Sequence, residues 1–290
     1  MAIVYETLKN RKFEELVHTY TERDTLLYAL GVGVGYDPLD EKALPFVYEG
    51  VGGEGNLLTL PTMAGVLAYP GFWIKEPDTG VDWTKVLHAD QEIVIHKPLP
   101  ASGTVKATTR VDEVIDKGEG KGAFIYSSRT VVDAETNEPL CTLVQNTMAR
   151  GHGGFGGSTE RPPTPQVIPE TAPDMTCDLP TLLQAALIYR LSGDFNPLHA
   201  DPAVARQGGF DRPILHGMCT FGVAGHALLK ECCDYDVNKF RSMKARFSAP
   251  VYPGETIRTE IWKLDEGVAF RCRVVERDLI VIDNGFANVG

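Results

Sequence analysis

Two stretches of this chain spell the same turn. Asp37-Pro38-Leu39-Asp40 lines up with Asn196-Pro197-Leu198-His199 at an offset of 159 residues. The match continues downstream. Pro61-Thr62-Met63-Ala64-Gly65-Val66-Leu67 resembles the start of the apolar run that opens at Pro213. Pro98-Leu99-Pro100 with Thr104-Val105 matches Pro250-Val251-Tyr252 with Thr256-Ile257 at an offset of 152. Alternating segments that read as strands follow each match: 105–114 and 257–264, 123–132 and 268–275, 140–149 and 279–289. A repeat on this scale calls for two copies of one architecture. The 290 residues suffice for two ordinary domains. We place them at 1–150 and 175–290, with 151–174, rich in Gly, Pro and Thr, as the linker. Gly153-Gly154-Phe155-Gly156-Gly157 at its head lacks the Lys-Ser/Thr and helix of a phosphate loop.

The copies are not equivalent. On the same offset Gly35 stands where Asp194 does, and Asp40 stands where His199 does. The run from Pro213 to about Leu229 is apolar nearly all round, as in a buried helix, whereas its counterpart is stopped early by Pro70-Gly71. The shortened helix leaves space beside the sheet, which we read as room for substrate rather than as simple erosion. The spacing of Phe13, Leu16, Val17, Tyr20, Leu26, Leu27 and Leu30 predicts a helix over 13–31. The glycines that follow, from Gly31 to Gly35, lack dinucleotide-loop spacing.

Only the second copy carries an acid and an imidazole together. Gly193 and Pro197 exclude a regular helix there, so an irregular segment can turn Asp194 and His199 toward one point. Such a pair can hold a water and exchange protons near neutral pH. The plainer alternative is a surface turn whose Asp and Asn cap backbone groups. Asp201-Pro202 reads as an N-cap and first helical residue. Gly217 falls in the first turn of the long apolar helix, where a bare N–H could meet an enolate oxygen closely. His216 reads as a helix-start histidine bonded to backbone.

The run from Tyr189 to His199, with Ala205 after it, resembles the signature of the type 2, (R)-specific enoyl-CoA hydratases of the MaoC-like group. The resemblance runs from about residue 5 to the end and is closest to the hydratase unit of the peroxisomal multifunctional enzymes of β-oxidation. It implies an α+β chain of two hot-dog folds, each a helix wrapped by a curved antiparallel sheet. It implies reversible hydration of trans-2-enoyl-CoA to (R)-3-hydroxyacyl-CoA in fatty acid metabolism, with no metal and no cofactor beyond the CoA thioester substrate, by a homodimer. It further implies Asp194 and His199 as the acid–base pair, Asn196 as their support and the Gly217 N–H as oxyanion donor. We assign His199 as base on water and Asp194 as donor to Cα. Phe195, Pro197 and Leu198 in the motif, and Phe247, match substrate-lining positions, and Lys117 matches a lysine that meets CoA. His88-Ala89-Asp90-Gln91 resembles a substrate-lining run that usually reads His-Gly-Glu-Gln, so Ala89 and Asp90 depart from the pattern. Lys244-Ala245-Arg246-Phe247 is read as opening the strand before Pro250. The alternatives are a hydratase or dehydratase of another short or branched acyl-CoA, a hot-dog thioesterase, and a non-catalytic acyl-CoA-binding module.

Bulk properties narrow the partners. A formal charge of −11 argues against nucleic acid, although a few local Lys and Arg suffice to hold CoA. Six cysteines without a C-x-x-C pair suggest a reducing compartment. No apolar run is long enough to span a membrane. The first residues lack a signal-peptide core, and Asn288-Val289-Gly290 is not a peroxisomal address. The expectation is a cytoplasmic protein, peroxisomal only as part of a longer or otherwise targeted chain.

Overall fold

In chain order the elements of the first half are α1 (Tyr5–Lys9), β1 (Leu16–Tyr20), α2 (Glu22–Gly31), β2 (Val86–Ile95), β3 (Gly103–Asp116), β4 (Ala123–Asp133) and β5 (Pro139–Ala149). The second half contributes β6 (Met175–Pro180), α3 (Ala185–Tyr189), α4 (Pro202–Gln207), α5 (Gly217–Cys233), β7 (Phe240–Phe247), β8 (Thr256–Lys263), β9 (Val268–Val274) and β10 (Leu279–Val289). This computed structural model describes residues 2–51 and 56–290; Met1 and residues 52–55, inside the first predicted domain, lie outside the described residues. The described strands form one antiparallel sheet of order β1-β3-β4-β5-β2-β7-β10-β9-β8-β6. Read outward from its centre, the order is the same in both directions. The repeat in sequence is therefore a repeat in space, and the two halves meet edge to edge where Asp90↔Arg246 through Val94↔Ser242 pair β2 with β7. Arg246 Nε donates to Asp90 Oδ1 at 2.8 Å across this seam, and Asn146 Nδ2 donates to Asp90 Oδ2 at 2.7 Å. The linker crosses both halves. Gly154 and Gly156 N–H donate to Asp116, while Trp262 Nε1 and Asn284 Nδ2 donate to the carbonyls of Thr171 and Gln166.

The halves differ in what lies on the sheet. α5 buries Phe221, Val223, Ala224, Ala227, Leu228 and Leu229, so its apolar circumference is satisfied on all sides. Two glycines let it press against the first half. A Cβ at Gly222 would lie 2.6 Å from Val32 Cγ1, and one at Gly225 would lie 2.3 Å from Thr62 Cγ2. The first half has only a 3₁₀ helix, Pro61–Val66, where the second has α5. Ala68 at φ 44° and Pro70 end it, as the early Pro-Gly predicts. Asp40, the counterpart of His199, faces the other way in function: it accepts from Lys230 Nζ at 2.8 Å and Tyr235 Oη at 2.9 Å, locking the end of α5.

Three local expectations need correction. Residues 13–31 are not one helix. Leu16–Tyr20 is an edge strand on β3, and α2 begins only at Glu22, where Asp24 Oδ2 accepts from the Thr21 N–H at 2.8 Å. Apolar residues three and four apart share a helical face, but the β-branched Val17 and Thr19 and the free edge of β3 favour pairing. Lys244 to Phe247 closes β7 rather than opening a strand. The long helix starts at Gly217, not Pro213, because the Leu215 N–H is taken by the Val251 carbonyl at 2.7 Å. Gly217 thereby becomes its first residue.

Candidate active site

The motif loop is built from short-range turns. Gly193 sits at φ 115°, a conformation open to glycine, and reverses the chain after α3. Asp194 Oδ1 then accepts from the Asn196 N–H at 3.2 Å, and Asn196 Oδ1 from the Leu198 N–H at 3.1 Å. Asn196 thus caps the 3₁₀ turn Pro197–His199 and is itself exposed. It supports the pair through the backbone that carries His199, in the capping role the plainer reading gave it.

That turn drives His199 inward. Its Nδ1 lies 2.9 Å from the Ile214 carbonyl. A carbonyl only accepts, so Nδ1 carries the hydrogen and Nε2 is left with its lone pair. Burial lowers the His199 pKa, opposed by the Ile214 contact and by the nearby Asp194 charge. His216 stacks on His199 with ring centroids 3.8 Å apart, and its Nε2 meets the Asp194 backbone carbonyl at 3.1 Å. The expected backbone-bonded histidine is there, with an added role as a flat wall behind His199. Burial, then the neighbouring His199, lowers its pKa to about 4. Both rings are neutral at neutral pH.

Donor atoms of Asp194, His199 and His216 lie within 4.8 Å of one another, a set that could be considered for a metal. The stacking speaks against it. A metal binds in the plane of each imidazole, and rings inclined by only 28° at 3.8 Å cannot both direct lone pairs at one nearby ion. The geometry suits a water between a carboxylate and one imidazole Nε2.

Long-range pairing brings in the remaining parts. The Gly217 N–H, at the start of α5, has no protein acceptor among the described residues. Phe247, at the end of β7, lies 3.4 Å from where a Gly217 Cβ would stand. The Phe247 ring also lies 4.7 Å from that of His88 on β2. His88 is half-buried, its buried Nε2 has no partner among the described residues, and desolvation takes its pKa down to about 4. Ala89 is the extra residue of a bulge between His88 and Asp90, which turns His88 toward the cavity. Asp194 and His88 line one cavity of ≈ 70 Å³, room for a few waters, with Tyr69, Arg129, Tyr189 and Met218.

Phe195, Pro197 and Leu198 do not line this cavity: Phe195 and Pro197 are exposed, Phe195 with Arg190 over its ring, and Leu198 packs toward Gly208. Lys117 lies in the β3–β4 turn, its ammonium 4.3 Å from the Phe124 ring centroid. Phe124 pairs with Met148, which pairs with Leu87, the neighbour of His88, so Lys117 is at that end of the sheet. Tyr189 and Ser192 were not singled out from sequence, yet both hydroxyls are buried on this cavity without partners. Their places within the motif run were the available signal.

Comparison with known proteins gives the family. Residues 18–151 match the MFE-2 hydratase 2 N-terminal domain model, and 165–285 match the MaoC like domain model. The chain is 42% identical over 279 residues to 3-hydroxyacyl-thioester dehydratase Y of Mycobacterium tuberculosis, covering 94% of this chain and 93% of that protein. It is 35% identical to the probable enoyl-CoA hydratase 2 of Dictyostelium discoideum, over 99% and 97% of the two chains. The crystal structure of a MaoC-like dehydratase from Phytophthora capsici superposes with a TM-score of 0.84 at 33% identity, covering 98% of both. A Mycobacterium tuberculosis protein described as a double hotdog shares the fold at a TM-score of 0.61 and 14% identity, over 99% and 98%. On identity over nearly its full length and on a fold that repeats one curved sheet, this chain belongs to the MaoC-like dehydratase and hydratase 2 family, with a double hot-dog fold.

Proposed function

We propose that this protein is a hydro-lyase that reversibly adds water to trans-2-enoyl-CoA to give (R)-3-hydroxyacyl-CoA. One observation carries the reading. A ring nitrogen of His199 and the carboxylate of Asp194 lie within 4.8 Å of each other, and the N–H of Gly217, next in the chain to the His216 that stacks on His199, has no protein acceptor among the described residues. Water held by the pair attacks Cβ, its O–H bond breaks, and His199 Nε2 takes the proton. The C=C π electrons move to Cα and the thioester oxygen, where the Gly217 N–H holds the developing charge. The proton on His199 then passes to the Asp194 carboxylate, which delivers it to Cα, so the pair ends as it began, with Asp194 ionised and His199 neutral. The two act as one coupled unit. No electrons leave the substrate, so the reaction draws on no redox cofactor.

The acyl chain has room in the first half. A cavity of ≈ 330 Å³ adjoins the site through Val66, Tyr69 and Ser192 and is walled by Leu16, Val17, Leu27 and Met63. It occupies the region left by the short 3₁₀ helix. Phe247, Leu198 and Phe195 flank the thioester in this reading, and Lys117 meets the CoA. The proposal includes a homodimer and a cytoplasmic location, or a peroxisomal one if the chain is part of a longer polypeptide. No helix of the described residues is long and apolar enough to cross a membrane.

The test is loss of enoyl-thioester absorbance with crotonyl-CoA and trans-2-decenoyl-CoA, coupled to a dehydrogenase specific for the (R) product. Release of free CoA would instead support a thioesterase, and binding without turnover a non-catalytic module. The pH profile gives a further expectation. The lowered His199 pKa keeps the base neutral below the ordinary histidine value of 6.5, so activity persists as pH falls past that value and is lost only at the lowered pKa. A kcat/KM profile with its acid limb above pH 6.5 would remove His199 from the role of base.

A further inference from the structure

The inner face of the first half's sheet carries polar residues where the second half, Thr259 excepted, is apolar. Gln91 on β2 is opposite Gln145 on β5, which is opposite Ser127 on β4. Two residues along β4, Arg129 is opposite Thr109 on β3. β8 and β9 present Ile257, Ile261, Phe270 and Cys272 in the second half.

Arg129 is the residue that needs explaining. It is 8% exposed, and its Nη2 donates to the Gly65 carbonyl at 2.8 Å. Its Nε has no partner, and among the described residues no carboxylate pairs with it. The Tyr69 ring, at 5.8 Å, is the other group over it. A guanidinium buried with one neutral acceptor and no anion is costly, and its planar fork matches a carboxylate in two parallel bonds. It borders the same small cavity as Asp194, with Gln91 and Gln145 beside it. Asp194 lines the same cavity but makes no ion pair with Arg129, so a matching anion is left to whatever enters that cavity.

We infer that Arg129 anchors a terminal carboxylate on the acyl chain, and that the preferred substrates are short trans-2-enedioyl-CoA thioesters rather than plain alkyl ones. The inference rests on the hydratase reading and narrows its substrate class. The carboxylate displaces no catalytic group: the reacting carbons lie against Asp194 and His199, and the far carboxyl meets the guanidinium with the second Nε2 hydrogen of Gln145 as a further donor, the first being given to Thr147 Oγ1. The apolar cavity alongside would still admit an alkyl chain, without that pairing.

The experiment compares kcat/KM for the CoA thioesters of trans-hex-2-enedioic acid and trans-2-hexenoic acid, with saturated adipoyl-CoA and hexanoyl-CoA as competitive inhibitors. In the wild type the enedioyl substrate is favoured at least about 10-fold and adipoyl-CoA inhibits more tightly, as charge-assisted hydrogen bonds imply. Arg129→Met lowers that preference by about 10–100-fold, and Arg129→Lys retains part of it because the charge remains without the fork. Equal or reversed preference in the wild type overturns the inference without any variant, as does a preference that survives Arg129→Met. If hexenoyl-CoA is hydrated but not favoured against, the hydratase reading stands and only this inference falls. If neither substrate is hydrated, both fall.

Discussion

Asp194→Asn lowers kcat for enoyl-CoA hydration by about 10²–10⁴-fold while leaving the fold intact. The amide is close to the carboxylate in shape but can neither hold nor pass a proton. The structural duties of the residue survive the change. The Asn196 N–H still finds an oxygen at position 194, and His216 bonds to the backbone carbonyl, not the side chain. The loss should therefore appear in kcat, with KM and melting temperature little moved. His199→Gln should fall in the same range, and the double variant should cost far less than the product of the two, because a coupled pair fails as a unit. Progress curves on each variant beside a thermal melt check this. Activity within a few-fold of wild type in Asp194→Asn would remove the pair from the chemistry.

Phe221→Ala should lower stability by about 3–5 kcal/mol, the range for removing a fully buried aromatic side chain. Phe221 has no exposure and lies on α5, the longest helix among the described residues. Glycines at 222 and 225 let the same helix seat tightly on Val32 and Thr62, so little can relax into the hole. Against total stabilities of about 5–15 kcal/mol, the loss is a large fraction. Chemical denaturation gives the shift in midpoint. Phe221 also faces Phe247 at 6.4 Å, and Phe247 borders Gly217. Where the variant stays folded, KM should rise as that wall loosens.

What could be read from sequence followed the range of the interactions. The repeat was legible because prolines and turn residues mark it locally. Asp194, Asn196 and His199 were legible because they sit in one run with its own turn chemistry. The meeting of His88, Phe247 and Gly217 was not readable from spacing, since it needs β2 beside β7 and the start of α5 against both; only the resemblance pointed to it. Arg129 gave a weak signal: a charge at an inward position between Ser127 and Val131, easily taken for a solvated strand residue. Leu16 to Tyr20 reads as helix because apolar residues three and four apart share a helical face, and the edge strand, with Leu16 and Val17 exposed, shows no apolar alternation to compete with it. The strand won through pairing with β3, which lies far away in sequence.

The seam between β2 and β7 ties the fate of one half to the other. It uses the inner edge strand of each five-stranded unit, so neither has a free edge at the centre of the molecule. Severed between them, each would display a row of unsatisfied N–H and C=O groups along a strand built for pairing, the ordinary template for aggregation. The first half thus covers that edge of β7, whatever else it contributes. A lineage could let its chemistry lapse, but could not discard it without first blunting β7.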